Sequence, residues 1–195
     1  MLVEPLVSTP WPGIVLWTVL YCSDYLLTLA GARLYRQGVS EIIVLEGSYE
    51  LTPTFQRDID ALRLISPRFL ICLPVTDVLL WLLWRSDESY TYVFVLGMLV
   101  CIELMIHARH ARNLLLFRAV ARGRGIRGRI EYAREHILTQ SSLELLSFSL
   151  VFAMLFAFTG SAFVAGGSVG CAAIAGSHWT LARRQRALGS GATHP

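Results

Sequence analysis

The sequence predicts an all-α protein: a polytopic transmembrane helical bundle of about five spans with one short cytoplasmic amphipathic helix. Three observations predict it. Five apolar stretches are each long enough to cross a hydrocarbon core of about 30 Å, which takes about 20 helical residues. Hydrophobic residues make up 54% of the 195, above the roughly 45–50% of soluble domains, and the mean hydropathy is +0.53. All seventeen basic residues are arginines, and almost all fall between the apolar stretches. The length suits one membrane domain over 1–195.

The first span covers 11–32 and the second 67–84, where Ser66 is placed to cap and Pro67 suits the first helical position. The third covers 90–117. The fourth, 143–158, and the fifth, 161–181, are separated by so few residues that they must form an antiparallel hairpin. Two loops remain, 33–66 and 118–142. In the first, Glu41-Ile-Ile-Val-Leu-Glu46 has the β-branched content of an extended segment, and Gly47-Ser48 breaks it. Thr52-Pro53 then opens the short amphipathic helix, in which Phe55, Ile59 and Leu62 share a face. In the second, Gly123, Gly125 and Gly128 interrupt an arginine-rich run. Such a run meets anionic lipid headgroups rather than nucleic acid.

Orientation follows from arginine. With the amino terminus outside, Arg85 alone lies outside and the other sixteen lie inside, as the excess of basic residues in cytoplasmic loops requires. The carboxyl terminus is then inside, and the expected location is the plasma (cytoplasmic) membrane. The first residues lack the basic region and cleavage pattern of a secretory leader. Cys22, Cys72, Cys101 and Cys171 fall in different spans without C-x-x-C spacing, which predicts isolated buried thiols rather than a disulfide framework.

Three acids interrupt the apolar stretches: Asp24, Asp77 and Glu103. At about 1.5 Å per residue each lies near the midplane, where an ionised group costs several kcal/mol unless it is paired, protonated or bound to a cation. They are the expected proton- or cation-binding residues; the plainer reading is that each bonds a neighbouring helix, Asp24 through Ser23 or Thr28. Pro74, one turn before Asp77, frees a helix carbonyl that would help hold a cation or water.

Glu103, His107 and His110 stand at i, i+4 and i+7 on one helix face, with His178 expected near the same edge. Carboxylate and imidazole together suit a divalent metal; the plainer reading is interfacial packing. Gly166-Gly-Ser168-Val-Gly170 has the form of a serine nucleophile motif, but it lies inside an apolar helix rather than at a strand–turn–helix junction. Gly166 and Gly170 are therefore read as helix-packing residues at the bundle centre or a homo-oligomer interface, where Leu would disrupt and Ala would be tolerated better.

Three functions compete. The first is a proton- or cation-linked transporter or channel using the midplane carboxylates. The second is a non-catalytic subunit of a membrane complex. The third is a membrane-embedded metalloenzyme built on Glu103, His107 and His110. The implied cofactor is a divalent metal or a monovalent cation, and the implied partners are the bilayer, its anionic headgroups, and further copies or another subunit.

Overall fold

The computed structural model describes residues 8–86 and 88–191, with the backbone alone at 189–191. Residues 1–7, which bear on the expected absence of a leader, lie outside the described residues. Six helices and two short strands follow in order. They are α1 (Trp11–Arg36), β1 (Ile43–Leu45), α2 (Gln56–Asp60), α3 (Pro67–Arg85), α4 (Ser89–Ala121), β2 (Ile130–Tyr132), α5 (Arg134–Thr159) and α6 (Ala162–Gly191). The helices form a row in which α6 lies between α5 and α4, and α4 between α6 and α1, while α3 rests on α1 and α4.

Among the described residues four helices, α1, α3, α4 and α5, are long and apolar enough to cross a membrane. The fifth expected span falls in α6, whose glycines, Ser168, Ser177, His178 and Thr180 dilute its apolar content. Its surroundings differ too. It is packed on both sides by helices, whereas α3 buries almost nothing.

Each seam of the row has its own chemistry. Between α5 and α6, serine hydroxyls donate across to main-chain carbonyls: Ser142 to Ala175 at 2.8 Å, Ser149 to Ser168 at 2.8 Å, and Ser168 back to Ser149 at 2.9 Å. Ser168 is thereby a packing residue. Gly160, at φ +62°, makes the left-handed turn that folds the hairpin.

Between α4 and α6 the backbones nearly touch. A Cβ on Gly166 would lie 1.9 Å from the Phe94 carbonyl oxygen, and one on Gly97 2.0 Å from that of Phe163. The glycine strip is thus spent within the chain, at the bundle centre. Between α1 and α4, the end remote from the arginines is an apolar core of Ile14, Trp17, Tyr92, Val93, Leu96 and Val100 joined by Leu80 of α3.

At the arginine-rich end β1 and β2 pair in parallel, Ile43 opposite Ile130 and Leu45 opposite Tyr132. The loop expected over 118–142 is therefore shorter and partly regular: it contains β2, and α5 already begins at Arg134. That buried arginine donates to the carbonyls of Ser48, Glu50 and Leu51, and its own amide donates to Glu46 Oε2 at 2.9 Å. The amphipathic helix is also shorter than its pattern. Phe55 precedes α2 and Leu62 follows it at φ +50°. Its apolar face packs beneath the bundle, Ile59 against Tyr25, Leu29 and Ala32. Of the cysteines, Cys101 and Cys171 are buried, but Cys72 is exposed on α3.

Candidate metal centre

Helical spacing puts Glu103, His107 and His110 on the face of α4 that meets α1, and α1 answers with Ser23, Asp24 and Thr28. One ligand atom each from Asp24, Glu103 and His107 lies within 4.8 Å of the others. Glu103 is buried at 5% exposure, and its Oε2 has no hydrogen-bond partner. Asp24 Oδ1 is likewise buried and without a well-formed hydrogen bond, although His110 Nε2 approaches it to 2.8 Å. The same imidazole nitrogen lies 3.1 Å from the Thr28 hydroxyl. A buried acceptor left unsatisfied costs about 1–3 kcal/mol, more if charged, and here Glu103 Oε2 is such an acceptor, close beside Asp24.

The tautomer of His107 follows from its neighbours. Nδ1 lies 2.7 Å from the Glu103 carbonyl oxygen. A carbonyl only accepts, so Nδ1 carries a proton, and in the neutral ring Nε2 is then the nitrogen with the free lone pair. Ser23 Oγ lies 2.7 Å from that Nε2 and also 2.9 Å from the Leu20 carbonyl. With one proton the serine satisfies one of them, and an ion on Nε2 would free it for Leu20. A backbone bond on the far side of a ligating imidazole is the usual support of a metal-binding histidine.

The other candidates lie elsewhere. Asp77 accepts from the Thr18 hydroxyl at 3.2 Å to one oxygen and 3.3 Å to the other, nearer the remote end of α1. His178 pairs with Ser141 at 2.9 Å in the α5–α6 seam. Pro74 is exposed on the outer side of α3. Among the described residues, no arginine ion pair reaches Asp24, Asp77 or Glu103. Arg109 and Arg112 instead hold Glu144 at 3.1 and 2.9 Å.

The arginine-rich end of the α1–α4 seam is covered by Tyr49, packed against Tyr35 and Phe117 at ring separations of 6.1 and 5.9 Å. Its hydroxyl lies against Gly31, beside Asn113 but in no well-formed hydrogen bond. Burial pushes that phenol up to about 12 and raises the neighbouring Glu50 carboxyl as well. Sequence patterning did not signal this cover, because nothing local in Ser48-Tyr-Glu50 shows which helices it will meet. The serine and threonine of α1, in contrast, stood within one turn of Asp24.

No family model, curated protein or solved structure matches this chain. Its chemistry rests on the geometry. Two carboxylates and one neutral imidazole suit zinc, manganese or ferrous iron. Three protein donors leave a coordination position open, as exchangeable and catalytic ions have and closed four-donor structural sites lack.

Proposed function

We propose that the protein is a cation-linked membrane transporter that binds a divalent transition-metal ion through Asp24, Glu103 and His107. The observation that carries this reading is the convergence of those three donors in the α1–α4 seam, with a buried oxygen of Glu103 left without a hydrogen-bond partner and Asp24 Oδ1 met only by His110. The long apolar helices support a membrane setting. The arginine bias supports five crossings of the plasma membrane, with the arginine-rich end in the cytoplasm. His110 and Thr28 orient Asp24, and Asp77 stands outside the ion's reach as a helix-bonding residue.

Metal analysis and zinc flux on one sample of reconstituted protein test this. The wild type is expected to hold about one ion and to pass zinc, whereas Asp24→Asn, Glu103→Gln and His107→Gln lose at least about ten-fold in both. Asp77→Asn is expected to keep both. Protein that binds no metal, or metal binding unchanged in all three variants, overturns the reading. Bound metal without flux rejects transport and favours the metalloenzyme, the second reading, which the open coordination position supports.

A further inference from the structure

A second polar site lies at the arginine-rich end, where the chain leaves α2 and enters α3. It is built around Asp58, whose buried carboxylate accepts from the Ser66 hydroxyl at 2.6 Å and from Arg63 Nη1 at 3.1 Å, with Arg68 Nη1 at 3.8 Å. Both arginines are held a second time. The Arg63 carbonyl accepts from the Tyr25 hydroxyl at 2.8 Å, and Arg68 donates to the Thr54 carbonyl at 2.6 Å. Yet their side chains remain 59% and 45% exposed. Arg57 joins them around a cleft of about 300 Å³ lined also by Asp58 and Pro67. Three guanidinium groups face one carboxylate there, so the walls keep a positive excess in a fixed arrangement.

The backbone beside the cleft is equally particular. Leu62 occupies the left-handed region at φ +50°, and it is the sole non-glycine among the described residues to do so. Strain of this kind persists where surrounding contacts over-determine it; here the Arg63 amide closes onto the Asp58 carbonyl at 2.9 Å. The turn throws Leu64 and Ile65 outward, 61% and 64% exposed, immediately before Ser66 caps the apolar helix α3. Positive charge and a protruding apolar pair therefore meet where α3 would leave a bilayer.

We propose that this cleft binds the phosphate of an anionic membrane phospholipid, with Arg57, Arg63 and Arg68 on the headgroup and Leu64 and Ile65 among the upper acyl carbons. Guanidinium forks match phosphate oxygens in bidentate geometry. A free phosphate would use the arginines but gain nothing from the two apolar side chains, and their exposure selects the lipid. The inference rests on the membrane setting alone and is independent of the metal centre.

The test is native mass spectrometry of the full chain released from phosphatidylcholine nanodiscs containing a minority of phosphatidylglycerol. Wild type is expected to retain phosphatidylglycerol preferentially, and Arg57→Gln and Arg63→Gln each to lower that retention about five-fold. Arg57→Gln spares every Asp58 contact, so it decides the matter if Arg63→Gln disturbs the loop. The double variant Arg124→Gln, Arg127→Gln, on exposed loop arginines, is expected to retain lipid as wild type does. Equal loss in that control would assign the effect to the general field of the basic end and overturn the site. So would undiminished retention in Arg57→Gln. Replacing Leu64 and Ile65 with Ser should weaken retention of the lipid; if inorganic phosphate displaces the lipid at equal concentration and the Ser pair changes nothing, the ligand is the free anion and the lipid assignment fails.

Discussion

A single ring proton decides what His107 can do. While the Glu103 carbonyl holds that proton on Nδ1, Nε2 is the electron-pair donor of the neutral ring, in a cluster with two acids. The ring position is fixed by the α-helix itself, since the accepting carbonyl lies one turn back on the same element. His107→Asn, whose shorter side chain cannot make both contacts, is expected to lose metal as fully as His107→Ala does, measured as bound zinc per protein.

Asp58 offers a test by acidity. The Ser66 hydroxyl, with Arg63 and Arg68 adding to it, holds its carboxyl below the usual carboxylate range. A depressed folded value means that its stabilisation is fully present above the ordinary value of about 3.9 and is lost as pH falls through the folded one. Hydrogen exchange at the Arg63 and Phe69 amides should therefore rise on acidification below about pH 4, and Asp58→Asn should abolish that step.

The helical period put Glu103 and His107 on one face of α4 in the sequence, but nothing in it joined Asp24 of α1 to His107, since the sequence set Asp24, Asp77 and Glu103 apart from Glu103, His107, His110 and His178. What that period leaves open is azimuth between helices. Asp77 was expected at the depth of Asp24, yet it meets Thr18, nearer the remote end of α1. His178 stays out of the cluster for the same reason: α6 is screened from α1 by α4.

At the scale of the element, helix contact in the bundle is decided by the absence of side chains. Gly97 and Gly166 each face a carbonyl at 2.0 and 1.9 Å from a would-be Cβ, and a main-chain atom cannot yield as a side chain does. Even Ala is then excluded at Gly166. Gly170 is different, because its two nearest neighbours are side-chain atoms, Met98 Cγ at 2.5 Å and Ile102 Cδ1 at 2.8 Å, and the Met98 carbonyl oxygen stands back at 3.0 Å. Gly166→Ala and Gly97→Ala are expected to destabilise by about 1–3 kcal/mol or more, and Gly170→Ala by less, read from thermal unfolding in detergent.

The small-residue strip was visible in the sequence as a spacing, but its partner was not. Close approach needs a second glycine at a matching height, and Gly97 gave no sign beyond being glycine in an apolar run. The strand Ile130–Tyr132 was invisible for a related reason. Three residues after a glycine-broken basic segment carry little propensity of their own, and the extended form comes from pairing with Ile43–Leu45, far back along the chain.

Across the whole molecule, the row of helices predicts the placement of the ends. If α6 crosses together with the four more apolar helices, reporters fused to the two termini should give opposite signals. Matching signals would leave α6 as a helix packed in the bundle without a complete crossing. The row also divides the labour: α5 and α6 are bound by hydroxyl-to-carbonyl bonds and α4 to α6 by glycine contact, which leaves the α1–α4 seam to carry unsatisfied polar atoms.

If α3 and α4 cross a bilayer, the parallel pairing of β1 with β2 gives the chain a partial check on its own insertion. One strand is synthesised before α3 and α4, the other after them, so if these helices insert in a bilayer the two strands can meet only when both helices cross or neither does. A chain in which just one of α3 and α4 crossed would leave Ile43–Leu45 and Ile130–Tyr132 on opposite faces, with no route to each other. Arg134, the next anchor, would then miss the carbonyls of Ser48, Glu50 and Leu51, and the cover of the α1–α4 seam would not close. Three paired residues on each side would thus act as a parity check, in which the clasp fails to fasten when a single helix of the pair is left behind.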